Sequence, residues 1–313
     1  SREAVGYYRS LAQDDPSTYL PDLARALTNH SNYLGEMGRR EEGLAASREA
    51  VGYYRSLAQD DPSTYLPDLA RALTNHSNHL GEMGRHEEAL ITDQEAVGHY
   101  RDLAQANPNT YRRDLAGTLN NLSVRLSEVG RRDEGLAASR EAVGHYRDLT
   151  KATPDAYLPN LAMALTNHSN RLGEVGQREE ALNTNQEAVG HYYALAQAHP
   201  NAYLPDLASA LKNLAIRLRA VGRHEEALNT NWIAVAIHRD LAQAHPNAYL
   251  PKFASALNSL AIHLGEVGRR EEGLAASREA IGYYRALAQA HPTLFESHLQ
   301  QSLEVAAWLQ ALA

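Results

Sequence analysis

The sequence predicts an all-α chain built as an α-solenoid, a stack of antiparallel helix pairs, and three observations carry that prediction. First, it repeats every 46 residues: Ser1-Arg2-Glu3-Ala4-Val5-Gly6-Tyr7-Tyr8 returns as Ser47-Arg48-Glu49-Ala50-Val51-Gly52-Tyr53-Tyr54, then with drift at Asp93, Ser139, Asn185, Asn231 and Ser277. The first two units differ only at Tyr33/His79, Arg40/His86, Gly43/Ala89, Ala45/Ile91 and Ala46/Thr92. Second, apolar residues inside a unit recur at helical spacing. Third, no stretch alternates as a strand would. A fixed period in this range marks arrays in which each unit buries its apolar face only against its neighbours.

Each element of the unit can be justified in order. The first helix is expected from Pro21, which suits an opening turn where its missing N–H costs nothing. Leu23, Leu27, His30/Ser31 and Leu34 form its apolar stripe. Gly38 follows the last periodic residue and recurs as Gly84, Gly130, Gly176, Gly222 and Gly268, as a left-handed C-terminal cap would. The second helix is expected from about Arg40, with Glu41 and Glu42 complementing the dipole of its first turn. Its stripe is Leu44, Ser47, Ala50/Val51, Tyr54 and Leu57/Ala58, and Asp60-Asp61-Pro62 stops it before a longer connection. The chain therefore divides into an orphan second helix over 1–14, six helix pairs over 15–291 and an atypical terminal capping helix over 292–313, all in one array. Gly52 and its equivalents fall in mid-helix, where close helix approach or simple duplication accounts for them.

Composition narrows the function. Hydrophobic residues make up 43% of the chain, enough for a folded protein. A formal net charge of −8 argues against a dedicated nucleic-acid binder. No apolar run approaches the ~20 residues of a membrane span, and no signal-peptide pattern opens the chain; a cytoplasmic home fits. The absence of cysteine removes disulfides and thiolate metal sites. No phosphate loop, nucleophile elbow or paired-carboxylate motif stands out, so neither an enzyme nor a cofactor is implied. His76 and His79 lie three apart on one helix, but Leu122, Leu214 and Leu260 at the His76 position mark it as core-facing, and no metal site is expected. The chain starts in mid-unit without an initiator Met and is read as a piece of something longer.

The residues Asn213-Leu214-Ala215, Gly222, Glu226-Ala227-Leu228 and Ala234-Val235 resemble the pattern of the tetratricopeptide repeat (TPR) family, and the match recurs along essentially the whole chain. The period exceeds the family's usual ~34 residues, so helices or connections are extended, as in the kinesin-light-chain-like subtype and in repeat arrays of large bacterial signalling proteins. The resemblance implies a right-handed superhelix, with first helices lining a concave groove, second helices on the convex back, and peptide or protein binding without catalysis. In that register the groove carries Arg25, Thr28, Asn29, Asn32 and Glu36, then Arg71, Asn75, Asn78 and Glu82, then Asn121 and Glu128, then Asn167, Asn170 and Glu174, then Asn213. Asn offers both a donor and an acceptor, so such a row can hydrogen-bond an extended peptide whatever its side chains. The rival reading is that these Asn satisfy local polar groups.

Two departures from the repeat stand out. Arg48-Glu49 becomes Trp232-Ile233, which register turns outward as an apolar contact patch on the convex back, the rival reading being that drift rotates the helix so that both bury against the neighbouring pair. Val305 and Trp308 of the terminal helix replace groove Asn, closing the groove with an apolar pocket or capping the array. The expected function is a scaffold or sensor module that takes a protein or peptide partner in its groove. The alternative is a self-assembling array joined end to end, since near-identical units leave complementary ends. By resemblance alone, a signalling ATPase or caspase-like protease is the kind of domain expected beyond this sequence.

Overall fold

The computed structural model describes residues 2–312, and among these it is helical throughout. The helices are α1 (Arg2–Asp14), α2 (Pro16–Glu36), α3 (Arg40–Asp60), α4 (Pro62–Glu82), α5 (His86–Ala106), α6 (Pro108–Glu128) and α7 (Arg132–Ala152). They continue with α8 (Pro154–Glu174), α9 (Arg178–Ala198), α10 (Pro200–Ala220), α11 (His224–Ala244), α12 (Pro246–Glu266), α13 (Arg270–Ala290) and α14 (Pro292–Ala311). They form two compact units, one reaching to Tyr157 and the other starting at Leu158, with the division inside α8.

The period has a simple origin. Two helices of 21 residues, a three-residue turn and a one-residue joint make up each repeat. The extension therefore lies in the helices and not in their connections. The joint corrects two sequence expectations. The first helix begins at Pro16, not Pro21, and the connection before it is a single residue. Asp15 ends the preceding helix and caps the next: its Oδ1 accepts hydrogen bonds from the Thr18 backbone N–H at 3.2 Å and from the Ser17 hydroxyl at 2.7 Å. These bonds lower the pKa of Asp15. Asp-Pro-Ser-Thr is thus an N-cap followed by proline at the first helical position. Pro21 lies inside the helix, where its missing N–H leaves only the exposed, solvated end of the first turn unbonded.

The turn inside each pair closes as expected. Gly38 adopts φ +72°, the left-handed region that disfavours a side chain, and its five equivalents adopt φ between +72° and +81°. The Arg39 N–H then reaches back to the Leu34 carbonyl at 2.9 Å. Arg39 also clamps Glu42 through two hydrogen bonds of 2.7 and 2.6 Å, so the acidic first turn is held by the residue that precedes the helix.

The core follows the two stripes. Leu23, Leu27 and Leu34 of α2 are buried in one cluster with Ala46 and Ala50 of α3, while Val51 and Tyr54 of α3 are buried with Leu69 and Leu73 of α4. A fully buried Leu contributes roughly 1.5–3 kcal/mol, so each pair is stabilised chiefly by what it covers on its neighbours. Tyr100, Tyr146, Tyr192 and Tyr284 repeat the burial of Tyr54.

Candidate functional site

In both units the first helices present a polar stripe one side of which faces away from the buried Leu positions. Within the unit reaching to Tyr157, Asn29 and Asn32 are exposed, whereas Asn75, Asn78 and Asn121 are half-buried. The Asn121 amide donates to the Asn78 Oδ1 at 3.3 Å, so adjacent first helices join through the stripe itself. Arg25 and Arg71 are exposed but each bonds an acid one turn earlier on its own helix, Asp22 and Asp68. They are therefore partly neutralised by their own helix.

Within the unit starting at Leu158, Asn167, Asn170 and Asn213 are half-buried. Arg217 donates to the Asn170 Oδ1 at 3.0 Å, and burial lowers the pKa of this guanidinium. Further along, the stripe changes character. The positions equivalent to Asn32 become Ile216, Ile262 and Trp308, and those equivalent to Asn29 become Ser259 and Val305. Here α10, α12 and α14 line an open concavity of about 580 Å³. Ile262, Val305 and Trp308 supply its apolar wall, and Trp308 remains 38% exposed. Asn258, Gln301 and Glu304 supply polar groups, and the Asn258 Oδ1 is buried without a hydrogen-bond partner. An Arg219–Glu266 ion pair of 2.9 Å forms part of the lining. A mostly apolar concavity of this size with a few polar groups suits the capture of one side chain and its flanking backbone.

The helix α14 that completes this pocket is anchored rather than loosely appended. Leu309 is fully buried, and Trp308 and Leu309 lie so close to Gly265 that a Cβ there would sit 2.6 Å from each. Arg270 donates to the Leu309 and Gln310 carbonyls at 2.9 and 3.1 Å, placing positive charge at the carbonyl end of the helix. Sequence register singled out Val305 and Trp308. The polar residues of the pocket, Asn258 and Glu266, occupy the Thr28 and Glu36 positions of the same stripe, and the signal for them was that register combined with drift.

On the second-helix face Trp232 is 38% and Ile233 54% exposed. Elsewhere this face carries a ladder of ion pairs spaced 40 residues apart: Arg9–Glu49, Arg55–Glu95 and Arg101–Glu141, at 2.7, 2.6 and 2.6 Å. Ile233 takes the place of the Glu, and Tyr193, 58% exposed, takes the place of the Arg forty residues earlier. Both members of one rung have thus become apolar together, a pairing that a reading of α11 alone does not reveal.

No family model and no curated protein matches the sequence. Solved structures do match in fold. BtubC (BKLC) from P. vanneervenii aligns with a TM-score of 0.62 at 17% identity, over 79% of this chain and 92% of that one. A kinesin light chain from P. anserina with nearly identical TPR-like repeats gives 0.53 at 13% identity, over 71% and 96%. The quorum sensor NprR from B. thuringiensis, in its apo form, gives 0.59 at 13% identity, over 90% and 69%. The fold is that of the TPR-like repeat proteins, an all-α solenoid. No helix among the described residues is long and apolar enough to cross a membrane.

Proposed function

We propose that the chain is a binding module for an extended peptide segment, held along the first-helix stripe and anchored by an apolar side chain in the Trp308 pocket. The observation that carries this reading is the pocket: an apolar wall of Ile262, Val305 and Trp308 beside the unpartnered Asn258 amide oxygen. Asn29, Asn32, Asn75, Asn78, Asn121, Asn167, Asn170 and Asn213, with Arg25 and Arg71, provide sequence-tolerant contacts in this reading. The likeness to a quorum sensor fits a sensory role, and the repeat fold fits a scaffold working without catalysis in the cytoplasm.

The test is selection from a random peptide library, followed by anisotropy titration of the selected peptides. Trp308→Ala should weaken binding at least tenfold while helicity is retained, because buried aromatic anchors dominate such interfaces. The triple change Asn75→Ala, Asn78→Ala, Asn121→Ala should weaken it less. Peptides that bind both variants as tightly as the parent chain would overturn the groove assignment. If the same peptides then lose affinity with Trp232→Ala or Ile233→Asp, contact lies on the second-helix face. Sedimentation of the free chain checks the end-to-end alternative, which requires mass to grow with concentration.

A further inference from the structure

Between the last two helix pairs, three positions depart from the repeat together. Where α3, α5, α7, α9 and α13 carry Tyr54, Tyr100, Tyr146, Tyr192 and Tyr284, α11 carries the smaller His238. Where α2, α4 and α8 carry Thr28, Thr74 and Thr166, α10 carries Lys212. Where α2, α4, α6 and α10 carry Asp22, Asp68, Asp114 and Asp206, α12 carries Lys252. A large neutral side chain has been lost and two positive charges gained, one by reversal of a negative charge. The Arg25 and Arg71 positions, which pair with those Asp elsewhere, are here Ser209 and Ser255.

These residues are far apart in sequence and meet at one place. Together with the Tyr284 ring they line a cavity of about 250 Å³, and no carboxylate is in its lining. The Lys212 Nζ donates to the Ser255 hydroxyl at 3.2 Å. Among the described residues, neither Lys212 nor Lys252 is in ion-pair contact with an acid; Asp206 is the acidic group that acts on Lys252 from outside the lining. His238 is 1% exposed, and its Nδ1 has no hydrogen-bond partner. Burial and the two lysines depress its pKa to about 4, while burial and Lys252 lower that of Lys212. Two lysines at one cavity with no carboxylate in its lining are an electrostatic cost that a negative ligand would reduce.

We propose that this cavity binds a phosphate group. Two lysines, the Ser255 hydroxyl and a His238 ring N–H supply donors from α10, α11 and α12, a set that suits a tetrahedral dianion better than a planar carboxylate. The cavity exceeds the ~30 Å³ of a water several-fold, so it has room for the anion and the start of an ester substituent. The site differs from the Trp308 pocket in residues and ligand, and it stands or falls separately from the groove reading.

The experiment is thermal melting and calorimetric titration with inorganic phosphate at constant ionic strength. The variants are Lys212→Thr and His238→Tyr, each restoring the residue that other repeats carry. Phosphate should raise the melting temperature of the parent chain. Each variant should bind at least tenfold more weakly while remaining folded without phosphate. No shift up to 10 mM phosphate, an equal shift in both variants, or equal binding of acetate would overturn the proposal. Titration with N-acetylphosphoserine amide separates the sources. Affinity matching that of phosphate assigns the site to a phosphorylated side chain, and weaker affinity assigns it to the free anion.

Discussion

The two units are built from the same helix pair but break the repeat in different places. In the unit reaching to Tyr157 the stripe stays mostly polar, with Asn29, Asn75 and Asn121 at one position and the ion-paired Arg25 and Arg71 at another, and it breaks at Gly117 and Val124 of α6. Other irregularities lie inside, at Asp93, Arg125 and His79. In the unit starting at Leu158 much of the drift lines two pockets: Lys212, His238 and Lys252 one, and Ile262, Val305 and Trp308 the other. The difference bears on recognition. Equivalent sites offer an extended ligand several registers one repeat apart with similar energy, so a uniform stripe gives affinity without position. A single distinct pocket removes that degeneracy, because specificity is a difference between competing bound states.

The interior irregularity of the first unit gives the largest stability effect. Asp93 is fully buried, and its nearest hydroxyl, Ser77, donates to the Ala89 carbonyl at 3.1 Å, leaving the carboxylate without a well-formed hydrogen bond. Its closest cation is Arg125, whose Nε lies 4.0 Å away. Burial raises its pKa to about 7, with Ser77 and Arg125 pulling it back only in part. The sign follows from linkage. The folded chain holds this proton more tightly than the unfolded chain, where the value is near 3.8, so stability falls as pH rises from about 4 through about 7. Asp93→Asn copies Asn185 and Asn231 at the same position. It should raise stability at pH 8 by about 2–4 kcal/mol and change it little at pH 3.5. Melting curves of both proteins across that range check this, and a difference that does not vary with pH would refute it.

Glycine positions sharpen the comparison at intermediate size. Gly81 and Gly265 occupy the same place in α4 and α12. The three atoms nearest a Cβ at Gly81 all belong to the guanidinium end of Arg125, the far end of a flexible side chain. A Cβ at Gly265 meets the Trp308 ring and the buried Leu309, which cannot swing aside. Gly265→Ala should therefore cost about 1–3 kcal/mol by overpacking, and Gly81→Ala less than about 1 kcal/mol, offset by the better helix propensity of Ala. Urea unfolding of the two variants decides it. Equal losses would mean that α14 packs no more rigidly than an arginine tip.

Much of this architecture was legible in sequence, and the failures have physical causes. The helix pairs, the left-handed Gly38 and the buried Tyr54 series follow from periodicity and from the steric demand of positive φ, both local signals. The helix start was misplaced because Pro21 is the louder signal, whereas Asp15-Pro16-Ser17-Thr18 had to be read as one residue ending a helix and capping the next. The polar stripe could be placed by register. The bond from Asn121 to Asn78, the Arg25–Asp22 pairing and the meeting of Lys212 with His238 and Lys252 depend on which side chains converge across helices. A spacing of 40 residues between Arg9 and Glu49 carries no local signature, so the apolar Tyr193–Ile233 rung stayed hidden although Ile233 itself was noticed.

The smallest effect bears on why the repeats are so alike. Gly52 recurs at Gly6, Gly98, Gly144, Gly190 and Gly282 in mid-helix, where glycine costs about 1 kcal/mol relative to Ala. Close approach of a neighbouring helix would explain such a series, but a Cβ at any of these positions meets nothing within 4 Å. Ala236 already occupies the place in α11. The glycines therefore serve no packing inside this chain, and copying of an ancestral unit is sufficient reason for them. Gly52→Ala should stabilise by about 0.5–1 kcal/mol, read as a higher urea midpoint with an unchanged slope. The same change at Gly98 should add independently, since the two positions share no contacts. If either substitution leaves stability raised but weakens association with a partner, the bare backbone on the second-helix face has a function that this chain's own contacts do not explain. If stability falls, the open space around Gly52 is not open in solution.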